Sequence, residues 1–323
     1  MTDASLRGPR LDEIHAAAAR IEAYVHRTPV YTCRALDELA GAALFFKCEN
    51  LQKCGSFKIR GASNAIAQMD SRALEHGVAT HSSGNHGAAL ALAARNFGAK
   101  AYVVMPETAP SIKKRAVAGY GAEVSFCGPS LSSREESLAA LVARTGASVV
   151  HPYDDDRIIA GQGTLALELL EAVRDLDLVV VPVGGGGLIS GVSTAVTALS
   201  PTTRVIGVEP EGADDARRSI ESGRRQAASA PNSIADGLLA ELSERTFRII
   251  RNHVDRIVAV SEAEIITAMR LILERMKLIA EPSAAVALAA ILSGAIGARG
   301  TRIGIVLSGG NADLDALPWT AQR

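Results

Sequence analysis

The stretch LVVVPVGGGGLISGV, residues 178–192, decides the fold. Its first six residues show no polar alternation, so they read as a strand covered on both faces, as in a parallel sheet. Four glycines follow at once, and then an apolar run with helical spacing from Leu188 to Leu199. Strand, tight turn and helix in that order make one βα unit. Bare glycine backbone can turn its N–H groups inward and approach an anion closely. The helix behind it directs its positive end at the same place. Gly184, Gly185, Gly186 and Gly187 are therefore expected to cup a phosphate. The spacing is not the G-x-G-x-x-G fingerprint, and no Walker Lys-Ser/Thr follows it.

The same rhythm extends both ways. Toward the N-terminus, strands are expected at 43–47, 78–81, 101–105, 123–126 and 149–150, and helices at 11–24, 57–69, 87–97, 111–118, 133–145 and 163–173. Toward the C-terminus, strands are expected at 205–208, 257–260 and 303–307, and helices at 262–277 and 283–292. The polar stretch 221–233 reads as a surface excursion. Such alternation predicts an α/β fold with parallel sheets flanked by helices. A chain of 323 residues has room for roughly two domains.

Composition narrows the partners. Hydrophobic residues make up 48% of the chain but aromatics only 4%, so Ala, Val, Leu and Ile must build the cores. The net charge of −1 leaves no electrostatic footprint for nucleic acid or an anionic membrane. No apolar run reaches the ~20 residues that span a bilayer, and no secretory signal is visible. Cys33, Cys48, Cys54 and Cys127 lack metal-ligand spacing and read as small buried residues in a reducing compartment. The expectation is a soluble, cytoplasmic protein acting on a small molecule.

Four further constellations carry chemistry. In Ser56-Phe57-Lys58-Ile59-Arg60-Gly61-Ala62, a lysine beside an aromatic opens a helix and is a candidate Schiff-base amine. Ser82-Ser83-Gly84-Asn85-His86-Gly87 lies between a strand and a helix and offers more donors than one helix cap needs, which suits a carboxylate. Ser308-Gly309-Gly310-Asn311 follows the final strand, and open α/β sheets bind ligands beyond the carboxyl ends of their strands. Glu209, Glu211, Asp214 and Asp215 form either a solvated acidic loop or a hard-cation site. Lys113-Lys114-Arg115 reads as a solvated helix face. No G-x-S-x-G elbow is present, which removes a serine-hydrolase reading.

Taken together, the Lys58 motif, the Ser82–His86 motif, the glycine tetrad and the Ser308–Asn311 motif resemble the serine/threonine dehydratase and serine racemase family. These are fold-type II pyridoxal-phosphate (PLP) enzymes. The resemblance runs from RTPV at Arg27 to the C-terminal LSGGN. FFKCEN, HPYDDDRIIAGQGT and ERMKLIAEPSAAV are most similar to the serine racemase branch and its threo-3-hydroxyaspartate dehydratase relatives.

The resemblance implies a tryptophan synthase β-like fold of two open, twisted, mostly parallel sheets. A large PLP-binding domain would comprise 1–76 and 150–323, and a small domain, 77–149, would close over substrate. A homodimer is implied as well. Lys58 would hold PLP covalently and move the α-proton on one face; Ser83 would serve the opposite face. Phe57 would pack on the ring, and Gly184 to Gly187 with Leu188 would bind the phosphate. Asn85 would meet the ring hydroxyl and Ser308 the pyridine nitrogen. Ser82, Ser83, Asn85 and His86 would hold the substrate carboxylate. Glu209, the Ala213 carbonyl and Asp215 would hold a divalent cation: Mg²⁺, Mn²⁺ or Ca²⁺. Arg134 aligns with an arginine of the racemase-like branch and could clamp a second carboxylate.

The implied activity is an ammonia-lyase that dehydrates 3-hydroxyaspartate, serine or threonine to a 2-oxo acid, with racemase side activity. The alternatives are serine racemisation as the main activity, β-replacement as in cysteine synthase-like relatives, and a non-catalytic PLP-binding protein. Two departures weigh against serine racemisation. Ala88 stands where racemase-like members have Gln, and Leu238-Leu239-Ala240 stands where they have serines.

Overall fold

The computed structural model describes residues 7–82 and 84–320. Its strands are β1 (Val30–Tyr31), β2 (Ala43–Cys48), β3 (Val78–His81), β4 (Ala101–Pro106), β5 (Glu123–Cys127), β6 (Ser148–Val149), β7 (Leu178–Pro182), β8 (Arg204–Pro210), β9 (Arg256–Val260) and β10 (Arg302–Leu307). Its helices are α1 (Leu11–Ile21), α2 (Arg34–Ala40), α3 (Lys58–Ile66), α4 (Ser71–His76), α5 (Asn85–Asn96), α6 (Ser111–Gly119), α7 (Leu131–Thr145), α8 (Asp156–Ala172), α9 (Gly187–Leu199), α10 (Asp215–Ser222), α11 (Glu244–His253), α12 (Glu262–Leu271) and α13 (Pro282–Leu292).

Six strands form one sheet in the order β1-β2-β10-β7-β8-β9, and four form a second in the order β5-β4-β3-β6. Among these strands, every pairing is parallel except β1 with β2. Val180 of β7 pairs with Ile305 of β10, and Pro182 pairs with Val208 of β8. The carboxyl ends of these strands therefore open on one edge, where such sheets bind ligands.

The apolar run read from β7 is buried throughout. Its side chains alternate between two cores, as a strand requires. Leu178 and Val180 join the layer under α13, and Val179 and Val181 join the layer under α8 and α9. The four-stranded sheet has smaller cores, built from Ala79, Val104 and α7 on one face and Val103, Met105 and α5 on another. α3 sits at the seam. Its Ile59, Ala62, Ala65 and Ile66 share a buried cluster with Leu90 and Ala94 of α5 and with Ile158 of α8.

α8 begins at Asp156, ahead of the start at 163 that the sequence suggests. Gly161 and Gly163 look like helix breakers in sequence but are contact surfaces in the fold. A Cβ on Gly161 would lie 2.6 Å from Gly61 Cα, and one on Gly163 would lie 2.8 Å from the Gly191 carbonyl. Asp155 caps the helix by accepting from the Arg157 N–H at 2.8 Å. The helix expected to run to Lys277 stops at Leu271 and continues as a π turn over Ile272–Met276. α2, α4, α10 and α11 are additions to the sequence reading; each is short, at 6 to 10 residues. Among the described residues, no helix is long and apolar enough to cross a membrane.

Candidate active site

Lys58 opens α3 and is pinned from behind. The Phe57 N–H donates to the Ser308 carbonyl at 3.0 Å, and Ser56 bridges to Gly309. The Lys58 and Ser308 motifs, near opposite ends of the chain, thus form one backbone unit. The Lys58 amine donates to the Pro152 carbonyl at 3.0 Å and stands 5.2 Å from the centre of the Phe57 ring. Burial pushes this amine down to about 8, and the charge of Glu281 only partly opposes the shift. More of the amine is neutral near pH 7 than for an exposed lysine, which is what a nucleophile needs.

The glycine tetrad joins β7 to α9. Gly186 has φ +86°, a conformation that favours glycine. The other three are walled by neighbours. A Cβ on Gly184 would lie 2.9 Å from Leu238 Cα, one on Gly185 would lie 2.4 Å from the Tyr153 ring, and one on Gly187 would lie 2.8 Å from Tyr153 Cβ. Tyr153 belongs to HPYDDD, and nothing in the sequence marks it as the wall of this nest. Leu188 is buried at the first turn of α9. A nest of this kind at a helix N-terminus suits an anion.

The third motif follows β3. Ser82 Oγ accepts from the Gly84 N–H at 3.1 Å and the Gly87 N–H at 3.0 Å. Ser83 lies outside the described residues. His86 is buried, with Nε2 3.1 Å from the Val150 carbonyl and Nδ1 without a partner among the described residues. Its pKa falls well below the usual value, first through burial and then through the Lys58 charge. Asn85 is held at both ends of its amide. Its Nδ2 donates to Glu281 Oε1 at 2.7 Å, and its Oδ1 accepts from Asn311 Nδ2 at 2.9 Å.

Glu281 escapes the sequence reading, where it looks like an ordinary residue before the helix-starting Pro282. It is 3% exposed, and its Oε2 has no partner among the described residues. Burial raises its pKa to about 7, against the lowering pull of Lys113, Asn85 and Lys58. The string Glu281–Asn85–Asn311 ties the turn after β3 to the elements after β10.

The acidic cluster divides in two. Asp214 pairs with Arg217 and Arg218. Glu209 and Asp215 are fully buried. Glu209 accepts from the Ala216 and Arg217 N–H groups at 3.1 and 2.8 Å, whereas both Asp215 oxygens lack a partner among the described residues. Burial lifts Glu209 well above the usual carboxyl range and Asp215 to about 6. Ala213 is buried between them in sequence. Among the described residues, no three His, Cys, Asp or Glu side chains converge on a metal position, so a cation here would need carbonyl or water ligands as well.

Arg134 donates from Nη2 to the Pro129 carbonyl at 2.9 Å, and its buried Nε has no partner among the described residues. Its charge lowers the His81 pKa, after burial. The solvated face expected for Lys113-Lys114-Arg115 needs correction. Lys113 is only 9% exposed and forms an ion pair with Asp236. Ala88 lies in an apolar core with Val103, Met105 and Val117, which explains an alanine there. A groove of about 750 Å³ between α1 and α8 is lined by Arg27, Arg60 and Glu171 and not by the residues above.

Residues 21–309 match the pyridoxal-phosphate dependent enzyme family. The chain is 50% identical over 311 residues to beta-hydroxyaspartate dehydratase of Paracoccus denitrificans (strain Pd 1222), covering 96% of this chain and 99% of that protein. Maize serine racemase superposes with a TM-score of 0.94 at 44% identity, covering 97% of each chain. Serine racemase of Dictyostelium discoideum superposes with a TM-score of 0.90 at 49% identity, covering 94% of this chain and 99% of that one. The desolvated lysine, the glycine nest and these matches agree, and the chain belongs to the family of pyridoxal-phosphate dependent enzymes.

Proposed function

We propose that the protein is an ammonia-lyase that dehydrates a β-hydroxy amino acid, with 3-hydroxyaspartate as its preferred substrate. The observation that carries this reading is the convergence of three motifs. The Lys58 amine, the Ser308 backbone and the Glu281–Asn85–Asn311 string are linked by direct hydrogen bonds or charge. The donor set fits PLP: a desolvated primary amine for its aldehyde, and bare glycine backbone at the start of α9 for its phosphate. When bound, PLP supplies the electron sink that makes the α-C–H bond acidic.

The chain's own residues do the rest. Lys58 takes the α-proton, and Phe57 packs beside it. Gly184 to Gly187 and Leu188 hold the phosphate. Asn85, fixed by Glu281 and Asn311, has a second amide N–H to offer the ring hydroxyl. Ser308 offers the pyridine nitrogen a neutral hydroxyl in place of a carboxylate, which favours elimination over freely reversible carbanion chemistry. Ser82 accepts two N–H bonds and so keeps its own proton to donate to the substrate carboxylate. His86 assists through its backbone, and Ser83 serves the opposite face. Arg134, with its unpartnered Nε, clamps the distal carboxylate.

Two buried carboxylates, one of them unpartnered on both oxygens, suit a divalent cation. Glu209, the Ala213 carbonyl and Asp215 would hold it. Mg²⁺, Mn²⁺ and Ca²⁺ all suit oxygen ligands. The reading also carries a homodimer and a cytoplasmic location as expectations.

The test measures 2-oxo acid release from the hydroxyaspartate stereoisomers, serine and threonine, with and without chelator. Arg134→Ala should lose about 10- to 100-fold in kcat/KM on hydroxyaspartate, the worth of a charge-assisted hydrogen bond, and little on serine. Equal losses on both substrates would overturn the dicarboxylate preference.

A further inference from the structure

Lys113 is a buried charged residue that the proposed function leaves unused. It lies on α6, beside the four-stranded sheet, yet its ammonium pairs with Asp236, which lies in the chain segment between β8 and β9 of the six-stranded sheet. Its stem runs against the turn after β3. A Cβ on Gly84 would lie 2.6 Å from Lys113 Cδ and 3.4 Å from Nζ. At its far end, Asp236 opens a short turn, Asp236–Leu238, whose backbone walls the glycine nest: a Cβ on Gly184 would lie 2.9 Å from Leu238 Cα and 3.2 Å from the Gly237 carbonyl. The same turn is fastened to α13 by the Gly237 N–H, which donates to Ser283 Oγ at 3.0 Å.

We infer that Lys113 and Asp236 form a latch that positions the substrate turn over the cofactor turn. The inference rests on the proposed roles of those two turns. A buried ammonium is costly unless paired, so the latch is strong only while both partners are present. When it opens, Lys113 no longer ties α6 and the turn after β3 to the Asp236–Leu238 turn that walls the glycine nest. Opening therefore admits substrate, and reclosing shields the site. Lys113 and Asp236 are positioning residues, since neither is assigned a contact with the reacting atoms.

The test uses holoenzyme of wild type, Lys113→Gln, Asp236→Asn and the double variant. Hydrogen exchange is followed in residues 84–87 and 184–188 without substrate. Each single variant should lose protection in both segments together. KM should rise by about tenfold with a smaller change in kcat, because the loss falls on substrate retention. The double variant should be no worse than either single one, since coupled residues are not additive. Lys113→Arg, which keeps the charge, should restore most of the protection. Unchanged exchange in either segment, or additive losses in the double variant, would overturn the latch. If Lys113→Gln does not fold, Asp236→Asn and Lys113→Arg carry the same comparison. The exchange arm needs no turnover, so its failure is distinct from failure of the lyase reading, which wild-type 2-oxo acid release decides.

Discussion

The glycine turn after β7 and the Ser82–Gly87 turn after β3 hold equivalent places, each between a parallel strand and its helix. Both are packed, since Lys113 crowds Gly84 and Val103 crowds Gly87, but they differ in what else holds them. The glycine turn is walled by Leu238, Tyr153 and Thr246 and follows a strand buried at every position. The other is held by side-chain hydrogen bonds from Ser82, Asn85, Glu281 and Asn311. Its sheet is also thinner: β5 at the edge leaves Phe126 55% exposed, and α7 leaves Leu131 58% exposed. Packed walls cannot be exchanged for a ligand, but hydrogen bonds can. On the proposed roles of the two turns, the cofactor side is thus preformed, and the substrate side is free to adjust when substrate replaces one partner with another.

Lys58 belongs to the preformed side, and its removal gives the largest expected effect. Lys58→Ala should lower kcat by at least about 10⁴-fold, as loss of a residue central to a catalytic unit does. Borohydride treatment with PLP should label wild type at Lys58 and leave the variant unlabelled. A variant that keeps turnover within a factor of about ten, on the scale set by transition-state theory, would remove the basis of the comparison.

Glu281 ties the Ser82–Gly87 turn to the Ser308–Asn311 motif, and its titration probes that adjustable turn. Its carboxyl is raised from 4.5 to about 7 by burial. Between those values the folded protein keeps a proton that the unfolded chain releases. The stabilising contribution is full below pH 4.5 and is lost as pH rises through 7. Glu281→Gln cannot titrate, and it keeps an oxygen for Asn85. Relative to wild type, it should gain stability between about pH 4 and pH 8 by at most about 3 kcal/mol, following the linkage of pKa to folding. Denaturant unfolding at both pH values measures this. A constant difference between the two proteins would show that Glu281 titrates normally and that the string to Asn85 is not buried.

The glycine tetrad, Lys58 and the Ser308 motif are legible in the sequence because each is a contiguous run flanked by a strand or helix signal. Glu281, Tyr153 and Lys113 are not, because each acts through a neighbour far away in sequence. Glu281 reaches Asn85 across 196 residues, and Lys113 reaches Asp236 across 123. A lysine in Lys113-Lys114-Arg115 carries no local mark of burial, and a glutamate just before Pro282 looks like any residue at a helix start. The start of α8 is hidden for a related reason. Gly161 and Gly163 are breakers only if nothing packs against them, and α3 and α9 do. The acidic cluster is legible as a cluster but not in its division: Arg217 and Arg218, about one helical turn away, take Asp214 out of it and leave Asp215 alone.

The glycines themselves separate two reasons for one residue type, and the smallest expected effect tests which dominates. Anion approach alone asks for exposed N–H groups, whereas the Tyr153 ring at 2.4 Å asks for a missing Cβ at Gly185. Gly185→Ala should therefore destabilise the fold by about 1–3 kcal/mol, the usual cost of overpacking a filled site, and weaken PLP retention. Pairing it with Tyr153→Ala removes the wall. If packing dominates, the double variant should regain PLP binding, measured by cofactor absorbance after dialysis, while Tyr153→Ala alone loses little. If Gly185→Ala stays defective without the ring, the nest is set by the anion, and the contrast between a packed turn and a hydrogen-bonded one would have to be redrawn.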